Sequence, residues 1–173
     1  MRVLVDTNVL MDYLANREPY ADDAHNIIML CVSKEIDGCI AAHTITNLFY
    51  ILRKEMPVLK RKAALKTLCR VFDVVGITNK KLDLALNNED FDDLEDCLQD
   101  ECAKDYNAEY IITRNEQDFE NGTTITIEPS EFLKIFRNSI QREVWTNITF
   151  YEVWNDKVFQ YTKSIDESQW QWV

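Results

Sequence analysis

The chain has 173 residues, 46% of them hydrophobic, with only three glycines and three prolines, so it predicts a folded domain with a real core and excludes long linkers. The net charge of −11 argues against broad electrostatic binding of nucleic acid, although salt screening beyond about 10 Å leaves room for a local basic groove. The five cysteines include no C-x-x-C pair and no apolar run reaches roughly 18 residues, so we expect a soluble cytoplasmic protein with reduced thiols, of which Cys39, Cys69 and Cys97 are predicted to be buried.

In chain order, the first elements alternate between buried strands and amphipathic helices. The apolar, β-branched run Val3–Val5 predicts a strand that is covered on both faces and stops at Asp6. Thr7 or Asn8 is the expected N-cap of the helix that follows, and Asp6 itself is an alternative cap. After a second helix, the run "CIAA" predicts another buried strand, and "NLFYILRKEM" predicts a third helix that Pro57 ends.

The second half of the sequence continues this alternation. A basic helix, "KRKAALKTLCR", precedes a third strand, "FDVVGIT", and an acidic helix follows further along. The runs "AEYIIT" and "TTITIE" predict a fourth and a fifth strand, and Pro129 and Ser130 begin a last helix, "SEFLKIF". Strands that alternate with helices predict an α/β fold whose parallel sheet carries helices on both faces.

The composition changes at Arg137, so we expect a domain over residues 1–136 and a C-terminal extension over residues 137–173. In this extension "NITFYEVW" and "KVFQYT" flank Asn155 and Asp156, which predicts a β-hairpin with a two-residue turn. Exposed aromatic side chains would form a sticky patch, so the extension is expected to bury its aromatic residues on the domain or on a partner, and we expect a homodimer. All four tryptophans lie in it: Trp145, Trp154, Trp170 and Trp172.

The stretch 88–101, "NEDFDDLEDCLQDE", holds eight acids and no basic residue. On a helix, Asp93, Asp96 and Asp100 would share one face, next to a buried stripe formed by Leu94, Cys97 and Leu98. Two like charges about 4 Å apart repel by about 4 kcal/mol at an effective dielectric of 20. A divalent cation bound between two carboxylates would make the net electrostatic interaction attractive. The stretch is therefore either a metal-binding face or a solvated acidic helix, and both interpretations stand.

Polar side chains also follow the predicted strands. Asp6 comes directly after the first strand, Asn47 follows the second, and Thr113, Arg114 and Asn115 follow the fourth. In open parallel sheets the active crevice lies outside the carboxyl ends of the strands, so we expect these residues to converge there. A carboxylate at the end of a buried strand is costly without a partner, which favours a functional role for Asp6.

Four motifs in order, "VLVDTNVLMDYL", "TITNLFYILRK", "DFDDLEDCLQ" and "AEYIITRNEQDF", resemble the PIN domain family over about residues 1–136. The resemblance implies a three-layer α/β/α sandwich with a parallel central sheet. It also implies Mg²⁺- or Mn²⁺-dependent cleavage of RNA, as in the VapC-like toxins that bacterial antitoxins neutralise. An RNA substrate and an antitoxin protein are the partners that this resemblance suggests.

Carried over by position, Asp6 resembles the first metal-binding acid of the family, and Asp96, with Asp93 one turn before it, resembles the acids of the family's central helix. Asp118 matches an acid after the fourth strand. Asn47 and Asn115 lie where many members have acids. The resemblance thus implies metal ligation by Asp6, Asp93, Asp96 and Asp118, with Asn47 and Asn115 in the catalytic set.

The two asparagines leave alternatives open. An amide oxygen carries no charge, so one firmly held metal ion is favoured over a stable pair, and a weakly active or inactive PIN-like module that binds RNA or protein is the second interpretation. A receiver-like signalling domain is a third, which the late position of the acids disfavours. His25 and His43 lie outside the motifs that carry the resemblance, and neither is expected to be catalytic.

Several residues are candidates for contact with the substrate. Thr7, Asn8 and Thr113 could orient the ligands of a metal through hydrogen bonds. Arg114 suits a phosphate, and an ion pair with the acidic helix explains it equally well. The main basic zone is either a surface for the RNA backbone or a solvated helix face, and its members are Arg53, Lys54, Lys60, Arg61, Lys62, Lys66 and Arg70.

Overall fold

The computed structural model describes residues 1–143, 148–154 and 157–163, with side chains described as far as residue 139. Five strands form an all-parallel sheet in the order β3-β2-β1-β4-β5. Their bounds are β1 Arg2–Val5, β2 Asp37–Ala41, β3 Asp73–Val75, β4 Tyr110–Ile112 and β5 Ile125–Ile127. The parallel sheet predicted from the alternating pattern is therefore confirmed, and each strand is short, as the apolar runs suggested.

In the part of the chain that the structure describes, seven helices connect or follow these strands. They are α1 Thr7–Ala15, α2 Ala21–Val32, α3 Ala42–Ile51, α4 Val58–Val71, α5 Asn79–Leu86, α6 Leu94–Tyr106 and α7 Pro129–Glu143, with short 3₁₀ turns at Leu52–Lys54 and Glu116–Phe119. Helices α1 to α4 contact one another, and α5 contacts α6. Because parallel crossovers are right-handed, α1 to α4 cover one face of the sheet and α5 and α6 cover the other.

The strand order reverses beside β1. The chain runs outward from β1 to β2 and β3, then crosses to β4 and β5 on the other side. Val5 is paired with Ile112, so the residues that follow, Asp6 and Thr113, leave the sheet side by side. Ligand sites of open α/β sheets lie at such a reversal, outside the carboxyl ends of the strands, and this position therefore holds the candidate site.

The core explains why these runs form the central strands. Val3, Leu4 and Val5 have no solvent exposure, because helices cover both faces of β1. Helix α6 lies across β1, β2, β3 and β4, and it buries Cys97 and Cys102 among the apolar side chains. The expectation that Cys69 is buried is wrong, since its position on α4 faces solvent.

Several predicted helix starts differ from the structure. Neither Thr7 nor Asn8 is the N-cap of α1: Asp6 holds that position, and its side chain makes no hydrogen bond of the capping kind. Helix α3 begins at Ala42, five residues before the "NLFYILRKEM" run, because the chain enters the helix directly from β2. It ends at Ile51, and a 3₁₀ turn follows it before Pro57, which is the N-cap of α4.

The chain divides into two compact units, Met1–Leu133 and Lys134–Val173. In the second unit, β6 Ile148–Trp154 and β7 Lys157–Lys163 pair antiparallel. Residues 155 and 156 and the side chains of the four tryptophans lie outside the described residues, so the two-residue turn and the boundary after residue 136 stay predictions. Within the described part of the chain, no helix has the length and apolar character needed to span a membrane.

Candidate functional site

Asp6 is the centre of the site. It is 5% exposed, and its carboxylate accepts hydrogen bonds from Asn8 Nδ2, from Thr113 Oγ1 at 2.7 Å and from Gln99 Nε2 at 2.9 Å. Burial raises the pKa of the Asp6 carboxyl, and the hydrogen bonds from Thr113 and Gln99 work in the opposite direction. Three elements, β1, β4 and α6, therefore fix the orientation of one buried acid.

Asn8 and Thr113 tie the ends of β1 and β4 together. Asn8 Nδ2 donates to Thr113 Oγ1 at 3.0 Å, and Asn8 Oδ1 accepts from the backbone N–H of Arg114 at 3.3 Å. Thr113 Oγ1 also accepts from the backbone N–H of Asn115 at 3.0 Å. Asn8 and Thr113 thus lie where the sequence analysis expected them, on the Asp6 carboxylate. The Thr7 hydroxyl donates to Thr44 Oγ1 at 3.3 Å rather than to the Asp6 carboxylate.

Asp96 lies in the first turn of α6 and is half-buried. Burial, which has the largest effect, and the negative charges of four neighbours together raise the pKa of its carboxyl to about 7, and those neighbours are Asp6, Asp93, Asp118 and Glu95. A pKa this high means that the negative charges near Asp96 are not neutralised by a cationic side chain. The structure therefore brings three of the acids predicted as ligands, Asp6, Asp93 and Asp118, within electrostatic reach of the fourth, Asp96.

Asp93 differs from the prediction. It is not on the helical face with Asp96, because it is the N-cap of α6 and lies outside the helix. Its Oδ1 accepts from the backbone N–H of Glu95 at 2.6 Å, and the residue is exposed. Leu94 is 44% exposed, so its expected place in the buried stripe is wrong, whereas Cys97 and Leu98 are buried.

Asp100 has a structural role. It is 1% exposed, and its carboxylate accepts from the backbone N–H groups of Thr123 at 3.2 Å and Thr124 at 3.0 Å. Lys104 Nζ lies 2.8 Å from Asp100 Oδ2. Burial alone would raise the pKa of this carboxyl, but Lys104 and the two N–H groups hold it below its usual value. Asp100 fixes the loop before β5 to α6, so it is not a metal-ligand candidate.

The acids suit a hard divalent cation by chemistry and charge. Their donor atoms are carboxylate oxygens, the type that Mg²⁺ and Mn²⁺ prefer, and a cation beside Asp96 would offset the negative charges that raise the pKa of its carboxyl. Among the residues described, no three His, Cys, Asp or Glu side chains already enclose a position for an ion. The side chains fit a cation that keeps several waters, with Asp6 and Asp96 as the innermost acids.

The remaining predicted residues lie around this centre. Asn115 and Asp118 are exposed, in the segment just after β4. Asn47 is half-buried in the second turn of α3, three residues after Thr44 and so on the same helical face. In the basic zone, Arg53 stacks 3.6 Å over the ring of Tyr50 and donates to the Tyr50 carbonyl at 2.8 Å.

Arg114 is paired, but not with the acidic helix. Its Nε atom lies 2.6 Å from Asp12 Oδ2 on α1, an ion pair whose angle is not that of a well-directed hydrogen bond. Its guanidinium also lies 4.3 Å over the ring of Tyr20. The alternative that Arg114 pairs with the acids of residues 88–101 is therefore replaced by a pair with α1.

Sequence reasoning missed four residues near the site. Gln99 follows Asp96 by three positions, so helical spacing places the two side chains on the same face of α6. An amide within an acidic run gives no further sign of a functional role. Asp12 and Glu95 carry no signal in the sequence that distinguishes them from other helical acids. His43 Nε2 lies 3.9 Å from Glu95 Oε1, both ring nitrogens lack a hydrogen-bond partner among the described residues, and burial lowers the pKa of the imidazole.

Comparison with known proteins agrees with this geometry. Residues 2–117 match the family described as PIN domain. Ribonuclease VapC1 from Aquifex aeolicus (strain VF5) is 25% identical over 138 residues, which cover 76% of this chain and 92% of that protein.

Solved structures of the same fold include VapBC2 from Rickettsia felis bound to a promoter DNA fragment, with 20% identity and a TM-score of 0.55 over 74% of this chain and 98% of that chain. A toxin–antitoxin complex from Klebsiella pneumoniae has 22% identity and a TM-score of 0.54, covering 73% and 97%. VapBC-1 from nontypeable Haemophilus influenzae has 17% identity and a TM-score of 0.56, covering 75% and 99%. At these identities the structures show the fold alone.

Proposed function

Because this chain belongs to the PIN domain family, we propose that it is a metal-dependent endoribonuclease that hydrolyses phosphodiester bonds of RNA. We propose further that it is the toxin of a toxin–antitoxin pair and that its antitoxin is a separate protein. The matched ribonuclease and the toxin–antitoxin complexes of the same fold support this, and the cytoplasm stays the predicted location.

One observation carries the proposal: the uncompensated negative charge at Asp96. Four acids raise the pKa of this half-buried carboxyl to about 7 together with burial, at the carboxyl end of β1 where the sheet order reverses. Carboxyl groups with perturbed pKa values gather at functional sites. Repulsion between the carboxylates is tolerated at such a site because a bound cation offsets it. The arrangement is the one expected for phosphodiester hydrolysis, which needs charge neutralisation around phosphate oxygens.

Asp6 and Asp96 would hold the ion, with Asp93 and Asp118 as outer ligands or through water. A bound Mg²⁺ or Mn²⁺ supplies a water of lowered pKa and shields the developing phosphate charge. The protein orients the carboxylate that would bind the ion, because Gln99 and Thr113 donate hydrogen bonds to Asp6. One ion is favoured over two, because Asn47 and Asn115 bring amide oxygens where a second ion would need charge.

Substrate contacts are proposed from residues at the rim. Thr7, Asn8 and Thr113 orient ligands, and Arg114 contacts a phosphate, since a guanidinium suits bidentate contact with phosphate oxygens. Arg53 and Lys54 would extend the phosphate track along the exposed 3₁₀ turn after α3. Backbone contacts of this kind are independent of sequence, so the RNA target is set by other features.

The test is cleavage of candidate RNAs in Mg²⁺ or Mn²⁺ by the wild type and by Asp6→Asn and Asp96→Asn. Asp92→Asn is the matched control, because Asp92 lies in the same acidic stretch, is exposed and is not among the four acids whose charges act most strongly on Asp96. We expect loss of cleavage in the first two variants and retention in the control. Equal cleavage by all four proteins would mean that a contaminating nuclease is responsible.

A module that binds without cutting is the second candidate, favoured by the amides at Asn47 and Asn115. Titration of Mn²⁺ by calorimetry separates the two functions. Binding below millimolar concentration that Asp96→Asn removes supports the nuclease. Lack of binding at millimolar Mn²⁺, with RNA binding retained, supports the module.

We also propose that residues 137–173 act as an extension that buries aromatic surface and supports a homodimer. Truncation after Asn138 is expected to lower solubility or abolish dimerisation, measured by size-exclusion chromatography with light scattering. A soluble truncated protein with the oligomeric state of the full chain would contradict this role.

A further inference from the structure

Arg114 is held on two sides by residues that the catalytic acids do not need. Its Nε atom pairs with Asp12 Oδ2 at 2.6 Å, and its guanidinium stacks 4.3 Å from the centre of the Tyr20 ring. Asp12 is 1% exposed, and neither of its oxygens accepts a hydrogen bond from a described residue. The guanidinium is therefore the close cationic partner of a buried carboxylate.

This arrangement lies beside the proposed metal site. Arg114 follows Thr113 directly, and its backbone N–H donates to Asn8, which contacts the Asp6 carboxylate. Arg114 thus leaves the sheet at the same edge as Asp6. The Arg114 guanidinium therefore places positive charge at the edge of the sheet where Asp6 lies, and positive charge attracts a phosphate.

A purely structural ion pair explains these contacts only in part. A buried carboxylate is costly, and a partner chosen for stability would be enclosed and well hydrogen-bonded. Here the Arg114 side chain is 25% exposed, the Tyr20 ring belongs to a residue that is 45% exposed, and the ion pair uses only Nε. Among the described residues no hydrogen bond or ion pair engages the two terminal nitrogens of Arg114, so they remain available for a ligand.

We propose that Asp12, Arg114 and Tyr20 form a clamp for single-stranded RNA, an inference that rests on the proposed nuclease function. Arg114 contacts a phosphate through its terminal nitrogens, and Tyr20 stacks with an adjacent base. Asp12 is a positioning residue, because it acts by fixing Arg114. A base stacks on an exposed ring only after it leaves its own helix, so the clamp selects unpaired RNA over a duplex.

Binding measurements in a full-length Asp96→Asn background test the clamp without cleavage. The probes are a fluorescein-labelled mixed-sequence 12-nucleotide RNA and the same strand annealed to its complement, followed by anisotropy over a series of salt concentrations. Tyr20→Leu is expected to weaken binding of the single strand about tenfold, the usual loss when one stacked base loses its ring. Tyr20→Phe keeps the ring and should restore the affinity, and binding of the duplex should not change.

The salt dependence of RNA binding distinguishes the role of Arg114 from that of Asp12. Arg114→Gln is expected to lower the slope of log K against log salt by about 0.7, the value for one phosphate contact on a single strand. Asp12→Asn should weaken binding several-fold, and Asp12→Asn combined with Arg114→Gln should be no weaker than Arg114→Gln alone. Arg2→Gln is the control, because Arg2 also stacks on a tyrosine, Tyr106, but at the amino end of β1.

The outcomes are distinct. If the parent binds the single strand and the wild type cleaves it, but Tyr20→Leu and Arg114→Gln bind like the parent, the clamp is wrong and the nuclease stands. Equal losses for single strand and duplex would also overturn it, as they would reflect a folding defect or bulk charge. If neither binding nor cleavage of any RNA occurs, the proposed function fails as well. Thermal melting of each variant, with Tyr20→Phe and Arg114→Lys as the conservative pair, checks the fold.

Discussion

Two acids on α6 lie four residues apart, and their surroundings are opposite. Asp96, in the first turn, faces Asp6, Asp93 and Asp118, and the pKa of its carboxyl rises to about 7. Asp100, one turn further, is more deeply buried, yet Lys104 and two backbone N–H groups hold its pKa below the usual value. Burial by itself raises both values, so the partners decide the outcome.

The number of acids in a stretch of sequence does not by itself indicate a functional site. Charge density in the sequence is the same at both positions, but only one of them is left without positive charge in the folded chain. An acid with partners, such as Asp100, contributes to stability, whereas an acid without a cationic partner, such as Asp96, costs stability, and perturbed acids of this kind gather at functional sites. Cleavage, folding and cation binding should therefore respond differently to substitution of the two acids.

The largest expected contrast is in catalysis. Asp96→Asn should lower kcat/KM for RNA cleavage by roughly 10²–10³, the usual loss when a group that stabilises charge in the transition state is removed. Asp100→Asn should lower it less than tenfold once the rate is divided by the folded fraction, because Asp100 faces the loop before β5. The measurement is cleavage of a fluorogenic RNA with excess Mn²⁺, and a larger loss for Asp100→Asn would reverse the assignment.

Folding should show the opposite order. Asp100→Asn removes the partner of Lys104 and one acceptor for the Thr123 and Thr124 N–H groups, so it should lower the free energy of unfolding by about 2–3 kcal/mol. Urea denaturation in EDTA at pH 8 measures it. Glu101→Gln is the control, since Lys104 also pairs with Glu101 at 2.7 Å but this acid makes no such bonds to the loop. If Asp100→Asn changes the free energy of unfolding by less than about 0.5 kcal/mol, which is the range of ordinary surface substitutions, the structural role of Asp100 is contradicted.

Asp96→Asn should stabilise the protein without a cation, and the sign follows from linkage. The pKa of Asp96 is raised from 3.8 to about 7, so the native state holds a proton between these values that the unfolded state has released. This contribution is fully present below pH 4 and is lost as the pH rises through 7. At pH 8 in EDTA the variant should therefore be more stable than wild type by up to about 4 kcal/mol, and at pH 4 nearly equal. A pH-independent difference would contradict the shifted pKa.

Cation affinity should follow the same carboxyl. A bound ion needs Asp96 ionised, so the apparent Mn²⁺ affinity should fall about tenfold for each pH unit below 7 and level off above about pH 8. Calorimetric titration between pH 5.5 and 8.5 gives the profile. The Asp100→Asn variant should keep the inflection, because the pKa of Asp100 is already low. A flat profile would separate cation binding from Asp96.

The parallel sheet and the meeting of Asp6 with Thr113 followed from the sequence, because parallel strands place their carboxyl ends at one edge. Helical spacing placed Asp96 on α6 but wrongly put Asp93 on the same helical face, because Asp93 is the N-cap. The partners of Asp100 were not, since Thr123 and Thr124 come from a loop that no local pattern connects with α6. The exposed position of Leu94 depends on where α6 begins, and Asp93 as N-cap decides that through a single hydrogen bond.

Gln99 offers the smallest and sharpest test, because it lies between Asp96 and Asp100 on α6 and its side chain contacts a different acid, Asp6. Its Nε2 donates to Asp6 Oδ1 at 2.9 Å, and this bond favours the ionised carboxylate against the burial that raises the pKa of Asp6. Gln99→Leu should weaken Mn²⁺ binding about tenfold, as loss of a hydrogen bond to a ligand commonly does, and shift the affinity profile to higher pH. Gln99→Glu should keep the side-chain shape but add a like charge beside Asp6, so it should weaken binding more at neutral pH and less near pH 5, where the new carboxyl can carry a proton and donate. If both variants bind Mn²⁺ as the wild type does at every pH, Asp6 does not depend on α6 for its orientation, and the first turn of that helix acts through Asp96 alone.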